Sequence, residues 1–294
     1  MDSPVINPRL MAQAIRRARH VAPLWLAFLV LTSSLSTAAL SAQVSGSAPD
    51  SNRVAKTFFT RRDVFWTGGA VAGTVILSHF DEKIRRWAMS PGVQDGQSRH
   101  DLVDALTHIN ETPLTIAAVL TYGIGRLSRS KTVTDVGLHA TEAMVLTDVT
   151  AELIRGPLGR ARPRISPDDA FNFKFGKGFT DFGYRAFPSL HSAAAFSMAA
   201  TVTAEIYERS PRTAWIVGPV LYTAALIPGA TRIYLDQHWA SDVASGAFVG
   251  TLFGAKVVRY AHSHRPTKLD RFLMGAMVAP NGSGGVLVTG SFVP

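Results

Sequence analysis

The sequence predicts an all-α fold, a bundle of about six core helices, and three observations carry that prediction. From Val64 onward the chain is a succession of uncharged runs, most of them 13 to 17 residues long. These runs are rich in Ala, Gly and Ser, which let helices approach closely. Apolar residues make up 47% of the chain against 17% charged, and its 294 residues suffice for one large domain or two small ones.

Taken in order, residues 1–42 read as an export signal or an N-terminal anchor. Arg9, Arg16, Arg17 and Arg19 form a positive region, Leu24–Leu31 an apolar core, and small residues near Ser41 and Ala42 suit cleavage. The apolar run falls short of the ~20 residues that span a bilayer, which favours cleavage. Residues 43–62, rich in Ser, Gly, Pro and Asp, read as a flexible linker. The helical domain follows over 63–265, with helices expected at Val64–Ser78, Pro113–Gly125, Val133–Ile154, Ser189–Ala204, Thr213–Ile227 and Asp242–Tyr260. The polar stretch 82–112 reads as a short helix and loop. Glu142, Asp148 and Glu152 interrupt the third helix; they are costly against lipid and acceptable inside a packed bundle. Only Thr213–Thr231 reaches spanning length, and it contains Pro219 and Pro228. The runs therefore leave soluble and membrane-embedded bundles both open. In the tail, 266–294, two β-prone runs flank Pro280-Asn281-Gly282-Ser283-Gly284, and Asn-Gly in that setting predicts a small C-terminal β-hairpin.

The formal net charge is +9; residues 1–42 hold four Arg and one Asp, leaving about +6 on the rest. A basic surface suits anionic lipid head groups or phosphorylated substrates. No basic helix or nucleic-acid module accompanies the charge, so nucleic acid is not an expected partner. The absence of Cys removes disulfides and thiolate metal sites. His79, His100, His108 and His139 have no metal-ligand spacing to each other, and His262 and His264 sit in a basic patch after the last helix. No carboxylate-rich metal site appears either, so no metal ligands and no cofactor are expected.

The chemistry is concentrated in three segments. In Thr231–Asp242, His238 and Asp242 are four apart, so on a helix starting near Trp239 they share a face. A carboxylate on one ring nitrogen fixes the tautomer and makes the other a better base or nucleophile. Arg232, six residues earlier, can hold an oxyanion at the same spot. Alone, the segment also reads as a surface His beside a helix-capping Asp. Arg155 and Arg162, seven apart and followed by Pro163, add two more cations. Pro188-Ser189-Leu190-His191 opens a long small-residue run; a Ser at a helix start, with free backbone N–H groups, is an anion site. Together the segments offer three Arg, a hydroxyl and helix N-terminal amides for an oxyanion, one His to attack and one to protonate.

This arrangement resembles the type-2 phosphatidic acid phosphatase and vanadium haloperoxidase superfamily. Its signature, Lys-x6-Arg-Pro, Pro-Ser-Gly-His and Ser-Arg-x5-His-x3-Asp, is met here by Arg155-x6-Arg162-Pro163, Pro188-Ser189-Leu190-His191 and Thr231-Arg232-x5-His238-x3-Asp242. The match covers about residues 140–255. Three positions depart from the pattern: Arg155 replaces Lys, Leu190 replaces Gly, and Thr231 replaces Ser. None removes a reacting group, and Leu190 makes close approach to a ligand harder.

The resemblance implies metal-independent hydrolysis of a phosphate monoester or a lipid (di)phosphate. His238 attacks phosphorus and becomes phosphorylated, Asp242 orients it, and His191 protonates the leaving oxygen and then activates water. Arg155, Arg162, Arg232, Ser189 and the amide near Leu190 hold the phosphoryl oxygens. The implied partners are a phosphorylated small molecule or lipid, with membrane association and an exported or envelope location. The same pocket also suits a vanadate-dependent haloperoxidase, with His238 on vanadate as cofactor. A third reading is a non-catalytic envelope lipid-binding protein, against which the intact His238, His191 and Asp242 argue. Between Arg164 and Phe187, seven aromatics with Lys174, Lys177 and Arg185 among them read either as a rim gripping the organic part of a substrate or as ordinary loop packing.

Overall fold

The computed structural model describes residues 58–263, 276–280 and 286–290. The expected signal and most of the linker lie outside them, as does His264. The described core is helical: α1 (Arg61–Ser78), α2 (Asp81–Ala88), α3 (Pro91–Gln94), α4 (Gln97–Thr107), α5 (Glu111–Leu127), α6 (Lys131–Leu158), α7 (Leu190–Arg209), α8 (Pro211–Tyr234) and α9 (Ala240–Ser263). The expected C-terminal hairpin gains no support as part of this core. Two five-residue strands, β1 (Ala276–Pro280) and β2 (Val286–Gly290), pair antiparallel, but the Asn-Gly turn between them lies outside the described residues. Residues 82–112 hold three helices rather than one short helix and a loop.

Local chemistry sets the helix ends. Thr60 and Asp63 form a reciprocal capping box at the start of α1. Asn110 accepts from the Thr112 N–H at 3.0 Å to open α5, and Ser130 caps α6 through the Val133 N–H. Gly159, with φ 59°, ends α6 in the left-handed conformation that glycine adopts without a Cβ penalty. Its N–H donates to the Arg155 carbonyl. The helix α8 runs past Pro219 and Pro228 to Tyr234, seven residues beyond its expected end, so Arg232 sits in its last turn and not in a preceding loop.

The central helix α7 touches α5, α6, α8 and α9. Its core contacts set one large ring among alanines: Ala195, Phe196 and Ala199 meet Ala225 of α8 and Ala247 of α9, with Leu221, Tyr222 and Leu226 closing over them. The tightest contact is α7 against α9. A Cβ on Gly246 would lie 2.2 Å from the Ser189 carbonyl oxygen, one on Gly250 2.0 Å from that of Ala193, and one on Gly254 2.5 Å from that of Ser197. Glycine every fourth residue thus lets the two backbones touch along three turns. Gly250→Val is expected to destabilise the fold by about 3 kcal/mol, since the clash is with main chain that cannot rotate away. Gly68→Ala, on α1 where a Cβ meets nothing within 4 Å, is expected to stabilise by about 0.5–1 kcal/mol. Thermal unfolding of the two variants checks this; a Gly250→Val chain as stable as wild type would contradict the contact.

The exterior is unusually apolar. Val64 and Phe65 on α1 are 72% and 73% exposed. Ile116, Leu120 and Ile124 on α5, Val149 and Leu153 on α6, and Ile216 and Val220 on α8 also point outward. Among the described residues, α8 is the one helix long and apolar enough to cross a membrane.

Candidate active site

The helices α6, α7, α8 and α9 alternate in direction, so the C-terminal ends of α6 and α8 meet the N-terminal ends of α7 and α9. Every residue singled out in the three segments therefore reaches one end of the bundle. Arg155 lies in the last turn of α6, Arg162 in the loop after it, Ser189 at the cap of α7, Leu190 and His191 in its first turn, Arg232 at the end of α8, and His238 just before α9. Asp242 is in the first turn of α9.

His238 and Asp242 are buried, with Nδ1 facing Oδ2 at 3.6 Å. That is a charge contact and longer than a hydrogen bond. Neither ring nitrogen of His238 makes a hydrogen bond among the described residues. Burial, opposed by Asp242, holds the imidazole below its ordinary pKa, so at neutral pH it is uncharged and carries a lone pair. The ring of His191 is 6.3 Å from that of His238, centroid to centroid. Its Nε2 faces Glu111 Oε2 of α5 at 3.5 Å, a neighbour that no local sequence signal reveals.

Three guanidinium groups surround this pair. Arg155 donates to the Arg185 carbonyl at 2.8 Å and faces Glu152 at 3.4 Å. Arg162 bonds Gln237 and stacks 4.0 Å over the Phe182 ring. Arg232 donates to the Thr107 carbonyl at 3.1 Å. Arg155 and Arg162 act electrostatically on His238, and together with Arg232 on His191. Burial, with Arg155 and Arg164 nearby, pushes Arg162 down to about 9; it stays cationic at pH 7. In each of the three, Nε is buried and makes no hydrogen bond among the described residues, and the same is true of Ser189 Oγ. Ser189 caps α7 without spending its hydroxyl on the helix. Buried donors left this way are costly unless a ligand takes them. An oxyanion with several acceptor oxygens is the ligand that fits.

Behind Asp242 lies a network that the sequence reading missed. Asp242 Oδ2 accepts the Trp239 N–H at 2.8 Å, which starts α9, while Oδ1 accepts from Arg160 Nη1 at 2.5 Å. Arg160 is buried; it also donates to Asp81 at 2.8 Å, to Ser241 Oγ at 2.8 Å and to the Ala170 carbonyl. Asp81 in turn accepts the Ser241 N–H at 2.9 Å. Although burial opposes its charge, Asp242 and Asp81 push the Arg160 pKa up. The carboxylate facing His238 is thus fixed on both oxygens. Arg160 had one available signal, its place inside Arg155–Arg162, but nothing in its spacing separates it from a solvent-facing cation.

The aromatic loop 164–187 borders this end. Phe171, Phe175, Phe179 and Phe182 are exposed, whereas Tyr184 is buried under Lys174, whose Nζ is 5.0 Å from the ring centroid.

A helical bundle gathering a His–Asp pair, a second His and three Arg at one end is suited to holding an oxyanion. Residues 137–266 match the model of the PAP2 superfamily. The chain is 31% identical over 190 residues to a Lipid A 1-phosphatase of Porphyromonas gingivalis, a match covering 63% of this chain and 35% of that one. The chain thus spans well under two thirds of this curated relative's length. Its fold is similar to the crystal structure of a transmembrane PAP2-type phosphatidylglycerolphosphate phosphatase from Bacillus subtilis, with TM-score 0.52, 19% identity, and coverage of 67% of this chain and 96% of that one. Residues 137–266 thus form a domain of the PAP2 superfamily, that of the type-2 phosphatidic acid phosphatases.

Proposed function

We propose that this chain is a membrane-embedded phosphatase that removes phosphate from a lipid phosphate or diphosphate through a phosphohistidine intermediate. The observation that carries the reading is the set of uncommitted buried donors around an uncharged His238: Nε of Arg155, Arg162 and Arg232, and Oγ of Ser189. In the first step His238 Nε2, the nitrogen turned away from Asp242, forms a bond to phosphorus as the bond from phosphorus to the ester oxygen breaks. His191, protonated as the anionic phosphate enters among the arginines, delivers that proton to the departing oxygen. In the second step His191, now a base, takes a proton from water; the water oxygen bonds to phosphorus and the bond to His238 breaks. Asp242, pinned by Arg160 and the Trp239 N–H, stabilises the positive charge that His238 acquires. The arginines neutralise the transferring group in both steps, so divalent metal has no assigned role in the reaction.

The lipid class is supported by the apolar exterior. Outward-facing side chains such as Phe65, Ile124, Leu153 and Val220 on four helices would be costly in water and are at home in acyl chains. With α8 about 36 Å long at 1.5 Å per residue, the bundle matches a bilayer in height. The names of the two relatives, a lipid A phosphatase and a transmembrane phosphatidylglycerolphosphate phosphatase, point the same way. An envelope location agrees with the export signal read over residues 1–42.

The test is a substrate panel of phosphatidate, lipid A, undecaprenyl diphosphate and nitrophenyl phosphate, with orthovanadate added. Turnover of at least one lipid and competitive inhibition by vanadate are expected. Halide oxidation by peroxide in the presence of vanadate, without phosphate release from any substrate, would replace this reading with the haloperoxidase.

A further inference from the structure

We propose that His139, Glu205 and His262 form a divalent transition-metal site, with zinc as the fitting ion, at the end of the bundle opposite the catalytic pair. The three residues come from α6, α7 and α9, and their candidate ligand atoms all lie within 4.8 Å of one another. Both imidazoles face the same carboxylate oxygen: His139 Nδ1 contacts Glu205 Oε1, and His262 Nε2 is 3.2 Å from it. Four-coordinate zinc with bonds of about 2.0–2.2 Å needs its donors roughly 3.4 Å apart, so small side-chain movements seat the ion. Two His and one carboxylate, with water completing the shell, suit zinc or cobalt; magnesium and calcium require oxygen donors.

The surroundings are those of a built site. The Glu205 side chain is fully buried, and a carboxylate in that position is costly unless it is paired or coordinates a metal. Its second oxygen is held by Arg209, which reaches on to Asp135 at 3.2 Å. Such an outer partner orients a ligating carboxylate. His262, with 30% of its side chain exposed, gives the ion an entry path. Twenty residues of α9 separate His262 from Asp242, about 30 Å along the helix at 1.5 Å per residue. The ion therefore clamps three helices together and takes no part in phosphoryl transfer.

The purified full-length chain, stripped with chelator and titrated with Co²⁺, is expected to show visible ligand-field absorption saturating near one equivalent. Zinc loading should give about one ion per chain by elemental analysis and raise the unfolding midpoint by at least ~3 °C. His262→Ala, at the exposed edge of the cluster, should remove the absorption, the bound ion and the midpoint rise while keeping wild-type helicity by circular dichroism. Glu205→Gln should do the same where it folds, and His262→Ala carries the test where it does not. Wild-type protein binding less than a tenth of an equivalent overturns the proposal, as does His262→Ala binding as much as wild type.

Discussion

Replacing His238 by Ala is expected to lower turnover by roughly 10⁴-fold or more, because in the proposed mechanism the variant lacks the atom that attacks phosphorus. Phosphate binding should survive, since Arg155, Arg162, Arg232 and Ser189 are separate side chains that the substitution leaves in place. Rapid quenching of wild type with a radiolabelled lipid phosphate should trap an acid-labile, base-stable phosphoenzyme, and His238→Ala should trap none. Vanadate should still bind the variant, although more weakly. The variant will leave a cavity beside Asp242, so its fold is to be checked by circular dichroism. Substantial turnover by a folded His238→Ala enzyme would remove the covalent mechanism.

His191→Ala should cost much more on substrates with poor leaving groups than on those with good ones. A lipid alkoxide needs a proton as it departs, whereas a nitrophenolate barely does. General acid catalysis typically supplies ~10²–10⁴-fold, so the loss on an alkyl phosphate should approach that range. The loss on nitrophenyl phosphate should be clearly smaller, limited to slower hydrolysis of the phosphoenzyme. Asp242→Asn acts on the nucleophile and should slow both substrates alike. Equal losses for His191→Ala on the two leaving groups would make His191 a phosphate contact and nothing more.

The parts of the site legible in the sequence were those held in short segments. The i, i+4 spacing of His238 and Asp242 and the seven-residue spacing of Arg155 and Arg162 are local, and the helix periodicity alone says which residues can face each other. The six long helices were legible for the same reason, since long uncharged runs need no tertiary information. The supports were hidden because they depend on distant chain contacts. Asp81 reaches Ser241 across 160 residues, and Glu111 reaches His191 across 80 in the numbering. Each, read locally, is only an acid in the first turn of a helix. His139 and His262 looked unrelated for a similar reason: antiparallel helices bring them together only at the end of the bundle that carries no motif. The extension of α8 through Pro228 went the other way, with tertiary packing overriding a local breaker.

The contact of α7 with α9 through Gly246, Gly250 and Gly254 fixes by main-chain atoms the spacing between the helix that carries His191 and the helix that His238 precedes, and the Ser189 N–H to Asp242 carbonyl bond of 2.9 Å ties their starts together. A gap set by backbone cannot be widened by trimming side chains along it. The selectivity of such a chassis must be written in its replaceable walls: Leu190, the exposed aromatics of 164–187 and the α5 face around Glu111. On the proposed function, a library meant to change which substrate the site accepts should be drawn from those positions, leaving the two helices untouched.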